Sequence, residues 1–189
     1  TSVVAEHRAS TALVVGYPHE DVGQWEALPG ALDEAAAIGA LLGCSPLTGA
    51  SATKAAVLAQ LEQASVVHLA THGDNHDGQA RLLLHGSEQW LRSEDIQHLK
   101  MRAQLVVLSA CQSGRGQVQV GEGDWKSSHE GVLGLARALM MAGVPTVIVA
   151  LWPLPDTETK ALLLRFYQLL TMGEEVDVAE ALRNAMLHV

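Results

Sequence analysis

Cysteine is scarce: Cys44 and Cys111 are the only two in 189 residues. They offer no disulfide framework and no Cys-x-x-Cys pair for zinc. Free thiols suit a reducing compartment, so a cytoplasmic location is expected, with no metal and no cofactor. Basic side chains are few as well. Twelve Lys and Arg stand against 21 Asp and Glu, for a formal net charge of -9. That balance argues against direct nucleic-acid binding and against an anionic membrane surface. No apolar run approaches the roughly 20 residues that a membrane span needs. The start lacks a charged-then-apolar signal segment. It opens on Thr1 rather than Met, which leads us to expect a chain processed or cut from something longer. Long linkers, internal repeats and low-complexity tracts are missing too, so one domain over residues 1–189 is expected. What is there is a core: 48% of residues are hydrophobic and 17% charged, which excludes disorder as the main state.

Apolar runs alternate with amphipathic ones from end to end. Thr11–Gly16, Ser65–Thr71, Gln104–Ser109 and Thr146–Leu151 are short, β-branched and apolar on both faces, and read as buried strands. Pro29–Gly43 has helical spacing, with Asp33 and Glu34 in its first turn and Gly43 as its stop. Ser45–Gly49 reads as a brief strand or turn, and Thr53 as the cap of a helix through Leu61. Leu82–His85 and Gln89–Leu91, parted by Gly86 and Ser87, read as a hairpin. Ser93–Leu99 is expected to be a short capped helix, and Gln112–His129 a glycine-rich polar loop. Helices are expected over Gly131–Ala142, Thr157–Met172 and Val178–Leu187. Strands buried on both faces and separated by helices predict an α/β fold. The expected form is a three-layer α/β/α sandwich around a mostly parallel sheet with right-handed crossovers.

In such sheets, ligands sit beyond the carboxyl ends of the strands. Two strand ends there carry chemistry. His72 and Gly73 follow one, and Cys111, ahead of Gln112-Ser113-Gly114, follows another. Were these strands neighbours, about 4.8 Å apart, thiol and imidazole would face each other across one crevice. A thiol near an imidazole ionises near neutral pH, and the thiolate is the nucleophile. The amides of Gly73 and Cys111 would suit an oxyanion. Taken singly, each residue has a plainer reading: free cysteines are often inert and buried, and a strand-end histidine is often structural.

His68, His72 and His76 recur every four residues, the spacing of a helical metal face, but their segment has the pattern of a strand. His68 is therefore expected to be a hydrogen-bonded core residue, and His76 a solvated one in a polar loop with Asp74, Asn75 and Asp77. Gly114, Gly116, Gly121 and Gly123 lack the Gly-Lys-Ser/Thr of a phosphate loop and fit a mobile catalytic loop better. Neither Ser109 nor Ser113 sits in Gly-x-Ser-x-Gly. Cys44, after a helix-ending glycine, reads as a structural thiol.

His68-Leu-Ala-Thr-His72-Gly73 and Leu108-Ser-Ala-Cys111-Gln-Ser-Gly114 resemble the two signature motifs of CHAT domains, caspase-like cysteine peptidases associated with tetratricopeptide repeats. The resemblance extends over nearly the whole chain. It includes Leu28-Pro29-Gly30 with Glu34, Leu47–Gly49, Ala52–Lys54, Gly131, Ala136–Ala138, Ala150–Pro153, Phe166-Tyr167 and Ala181–Arg183. Cys111–Gly114 followed by Glu130–Arg137 is most similar to domains at the end of large animal tetratricopeptide proteins. The resemblance implies a caspase-like fold, His72 as general base or acid, and Cys111 as nucleophile. It also implies a protein or peptide substrate and tetratricopeptide repeats, in the parent chain or a partner, that present substrate or restrain the site.

Two departures bear on substrate choice. Pro155, followed by Asp156, stands where the family has an acidic residue, and Gln117–Ser128 looks like a lengthened loop. The substrate pocket is expected to draw on Trp152, Asp156, Glu122 and Glu130, which favours a long or basic side chain before the cut bond. The leading expectation is a cysteine endopeptidase. The rival is a catalytically silent caspase-like domain used for assembly in a tetratricopeptide scaffold, and a third is an acyltransferase on the same dyad.

Overall fold

The structure, a computed structural model, describes residues 11–76, 79–110, 124–150, 156–172 and 177–188. Among the described residues, five strands form one parallel sheet: β1 (Ala12–Gly16), β2 (Leu47–Thr48), β3 (Val66–Ala70), β7 (Leu105–Ser109) and β8 (Val147–Val149). Their order across the sheet is β2-β1-β3-β7-β8. A second sheet is antiparallel, in the order β4-β5-β6, from β4 (Gly73–His76), β5 (Gln79–Leu83) and β6 (Trp90–Arg92). The helices are α1 (Pro29–Leu42), α2 (Lys54–Leu61), α3 (Ser93–Ile96), α4 (Asp124–Met141), α5 (Asp156–Met172) and α6 (Val178–Met186).

The period of two along each strand divides the core in half. Val14, Val66, Leu105 and Val107 face α1, α5 and α6, where Ile38, Phe166, Leu170 and Ala181 are fully buried. Leu13, Val15, Val67, Leu69, Val106 and Leu108 face the opposite way. They pack on α2, α3, α4 and the small sheet through Val57, Ile96, Leu139 and Leu82. Helices on both faces of a parallel sheet make the three-layer α/β/α sandwich that the apolar pattern predicts.

Local signals set the ends of several elements. The Thr53 hydroxyl accepts from the Ala56 N–H at 3.2 Å and caps α2. Gly43 stops α1 at φ 70°, a conformation that glycine adopts at little cost. Asp177 caps α6, accepting from the Ala179 and Glu180 N–H groups at 2.8 and 3.2 Å. A close approach explains Gly16, where β1 meets α1. A Cβ there would stand 2.7 Å from the Ala35 Cβ and 2.8 Å from the Ala31 carbonyl oxygen. Gly16→Ala must push helix from strand, and its expected cost is about 1–3 kcal/mol. Urea unfolding with an unchanged m-value would measure it, and a midpoint equal to wild type would contradict this packing.

Four expectations need correction. The hairpin is β5 and β6, whose strands run Gln79–Leu83 and Trp90–Arg92 rather than from Leu82 to His85 and from Gln89 to Leu91. The polar stretch after His72 is not loop throughout, because Gly73–His76 forms β4. Its composition has no strand propensity, and pairing with β5 makes it a strand. Helix α4 begins at Asp124, inside the segment read as a loop to His129. A polar run has no apolar stripe, so periodicity detects a helix only where it must pack. Finally, Glu34 does not serve the first turn of α1; it is 3% exposed and points into the core.

The partner of Glu34 is His68. Glu34 Oε1 lies 2.9 Å from His68 Nε2, and the Tyr167 hydroxyl lies 3.3 Å from His68 Nδ1. All three side chains are buried, which bears out His68 as a hydrogen-bonded core residue. His76 lies exposed on β4. Among the described residues, no helix is long and apolar enough to cross a membrane.

Candidate active site

Strand order locates the crevice. From β1 the chain passes through α1 to β2 on one side, then through α2 back across to β3 on the other. The sheet therefore changes winding direction between β1 and β3, and loops diverge beyond the carboxyl ends of these strands. The Tyr17 N–H donates to the Ala70 carbonyl at 3.0 Å, and the Thr71 N–H to the Ser109 carbonyl at 3.3 Å. These bonds tie the exits of β1, β3 and β7 into one floor.

The segment after β1 is a closed loop. The Leu28 N–H donates to the Pro18 carbonyl at 3.0 Å and brings its ends together. Inside it, Val22 and Trp25 exchange backbone hydrogen bonds of 2.8 and 3.0 Å across Gly23, whose φ is 61°. Asp21 Oδ1 accepts from the Ala27 N–H at 2.9 Å. The loop thus holds Trp25 and Glu26 against the end of β3.

His72 sits there, 1% exposed. Its Nε2 lies 2.7 Å from the Glu26 backbone carbonyl oxygen. A carbonyl only accepts, so Nε2 carries the proton, and Nδ1 is the basic nitrogen of the neutral ring. The Trp25 indole packs on the imidazole, with centroids 5.2 Å apart and planes at 44°. Trp90 meets Trp25 edge-on at 5.6 Å. The Arg81 guanidinium lies 3.9 Å over the Trp90 ring and binds Asp74 Oδ2 through Nε and Nη2 at 2.9 and 2.6 Å.

Gly73 abuts the exit of β7. A Cβ on it would lie 3.5 Å from the Ala110 carbonyl oxygen and 3.7 Å from the Ala110 Cβ. The Leu83 N–H donates to the His72 carbonyl at 2.9 Å, so His72 and Leu83 form a hydrogen-bonded antiparallel pair. The next pair, Gly73 with Leu82, is then of the non-bonded kind, and the Gly73 N–H faces away from β5.

The strands β3 and β7 are neighbours, paired from Val66 with Leu105 to Ala70 with Ser109. Among the expected site residues, His72 and Gly73 stand side by side, with Gly73 against Ala110. Cys111, Glu122 and Trp152 lie outside the described residues. Glu130 falls within α4, and Asp156 opens α5. Burial raises the Cys44 thiol above its ordinary range, away from the thiolate form. Among the described residues, no group of three or more His, Cys, Asp or Glu is arranged to hold a metal.

Sequence reasoning missed Trp25, Glu26 and the Asp74–Arg81–Trp90 group. One signal was available for the first. Trp25 is a lone indole in a polar stretch directly after a strand, where a large apolar side chain needs something to cover. Glu26 contributes a backbone oxygen, which no residue type encodes.

Comparison with known proteins agrees with this architecture. Tetratricopeptide repeat protein 28 of Mus musculus is 30% identical over 206 residues, covering 86% of this chain and 8% of that protein. Tetratricopeptide repeat protein 28 of Homo sapiens is 29% identical over 214 residues, covering 90% of this chain. This chain spans 8% of the length of the human relative too. The family model of the CHAT domain matches residues 1–189. With that match over a mostly parallel, helix-flanked sheet, the chain belongs to the CHAT domain family and has its caspase-like α/β fold.

Proposed function

We propose that this domain is a cysteine endopeptidase in which Cys111 is the nucleophile and His72 its proton carrier. One observation carries the proposal. The His72 imidazole is held through Nε2 by a backbone carbonyl, which makes Nδ1 the nitrogen with the acceptor lone pair, and it stands at the sheet's switch point beside the exit of β7. Nδ1 accepts the Cys111 proton, and the thiolate attacks the peptide carbonyl. The oxyanion is held by the amides of Gly73 and Cys111. Nδ1 then protonates the leaving amine, and a thioester remains on Cys111. Water, deprotonated by the same nitrogen, hydrolyses that thioester and frees the thiol. The Glu26 carbonyl takes the orienting role that a carboxylate plays in a triad, because it accepts the Nε2–H throughout. Tetratricopeptide repeats of the parent chain or a partner would present substrate.

For the residue before the cut bond we propose a long side chain, basic or uncharged, received by Trp152, Asp156, Glu122 and Glu130. The described surroundings of His72 favour this over an acidic preference. Of the two arginines on the small sheet, Arg81 is paired with Asp74 at 2.6 Å, and Arg92 lies 4.0 Å from Glu94.

A pair of peptide warheads, one with Arg and one with Asp at that position, tests function and preference together. The Arg reagent is expected to add one mass equivalent to Cys111, with loss of labelling in His72→Gln. Labelling dominated by the Asp reagent would overturn the pocket and point to Arg115. If neither warhead labels Cys111 in the full-length parent protein, the peptidase reading fails and the silent assembly domain takes its place.

A further inference from the structure

We infer that Trp25 is a positioning residue for His72, and that its indole holds the imidazole in place and favours its protonated form. The inference rests on the dyad reading for its catalytic meaning, though not for its geometry. Trp25 is 5% exposed, and its ring lies against the imidazole, with centroids 5.2 Å apart and planes tilted by 44°. The face of an indole carries negative potential, and it attracts a cation more strongly where water is excluded. The imidazolium that forms when Nδ1 takes a proton is such a cation, enclosed at 1% exposure. Leucine could fill similar space but would offer no such attraction.

The position of Trp25 is determined by its loop rather than by chance packing. The Leu28–Pro18 bond closes the loop, the Val22–Trp25 pair tightens it, and Asp21 holds Ala27. The same short loop therefore supplies both the Nε2 acceptor and the ring beside the imidazole. Trp90 backs Trp25 and is itself covered by Arg81. The ring thus has a fixed support on the far side from the loop.

Among the described residues, the loop and the small sheet supply the other charges on the elements around His72. The loop carries Glu20, Asp21 and Glu26, all exposed. The small sheet carries Asp74 and Arg81, which pair with each other, Arg92, which lies 4.0 Å from Glu94, and His76, which is exposed. Cys111 follows β7. Changing Trp25 leaves each of these in place.

The test is a histidine ring titration followed by nitrogen-15 and carbon-13 chemical shifts, in a Cys111→Ala background that removes coupling to the thiol. Three proteins are compared: the parent, Trp25→Phe and Trp25→Leu. Trp25→Leu is expected to weaken proton binding at His72 about threefold to tenfold. Trp25→Phe should retain most of the parental affinity. In both, the Nε2-protonated tautomer should persist, since the carbonyl is a backbone group. Proton affinity in Trp25→Leu equal to the parent would overturn the inference, as would equal losses in the Phe and Leu variants. Should Trp25→Leu fail to fold, Trp25→Met supplies the same non-aromatic comparison. Because the readout is proton binding and not turnover, the inference stands or falls separately from peptidase activity.

Discussion

Cys111→Ala is expected to abolish peptide cleavage, and His72→Gln to lower kcat/KM roughly 10²- to 10⁴-fold, the range that a positioned acid–base group contributes. The two losses have different origins. Without a thiol at residue 111 no thioester can form, so no residual covalent route remains. Without an imidazole the thiol stays largely protonated and the leaving amine departs without a proton donor. Glutamine is preferred to alanine because its amide can still donate to the Glu26 carbonyl, so that acceptor keeps its partner. Cys44→Ala should leave cleavage unchanged, since burial keeps that thiol out of its reactive form. Cys111→Ala and Cys44→Ala should unfold within about 0.5 kcal/mol of the parent, and His72→Gln somewhat earlier. Cleavage by Cys111→Ala at the parental rate would remove the nucleophile from the mechanism. Loss of cleavage in Cys44→Ala with the fold intact would move it to the wrong thiol.

The largest stability effect is expected at the buried group of Glu34, His68 and Tyr167. Glu34→Ala should cost about 3–5 kcal/mol, because removing one member of a buried polar pair strands the other. His68 then keeps a ring nitrogen that water cannot reach, being 0% exposed. With an m-value of roughly 2 kcal/mol/M, the urea midpoint should fall by about 1.5–2.5 M. A fall under about 0.5 M would mean that α1 and β3 do not rely on this contact.

The same group predicts an alkaline limb. Burial, followed by the charges of Glu34 and Cys44, pushes the Tyr167 hydroxyl well above the ordinary tyrosine range. A folded-state value above the unfolded one means that the folded chain keeps its proton longer. That contribution is whole below about pH 10, the unfolded value, and is lost as pH rises beyond it. Tyr17 adds in the same direction, raised by burial and then by Glu20. Stability should therefore decline from about pH 10 upward, and Tyr167→Phe should flatten the decline while costing about 1 kcal/mol at neutral pH. An alkaline limb of equal slope in Tyr167→Phe would assign it to other groups.

The sequence by itself determined the sandwich and the two strand ends that matter. Apolar residues on both faces of Ser65–Thr71 and Gln104–Ser109 can be buried only if helices cover both sides of a sheet. His72 and Cys111 mark where those runs give way to polar chain. Thr53 and Gly43 were equally legible, because caps and stops depend on the residue at one position. Tertiary structure alone decided the rest. It set the order β2-β1-β3-β7-β8 and so put the switch point beside His72, a matter of pairing between distant segments. It made Gly73–His76 a strand against its own propensity, through β5. It turned Glu34 from a helix-end charge into a core partner of His68, since that role exists only once α1 lies on β3. It fixed the imidazole through the Glu26 carbonyl and the Trp25 ring. Periodicity records which side of a segment is dry, and it carries no record of which distant backbone oxygen or ring the dry side will meet.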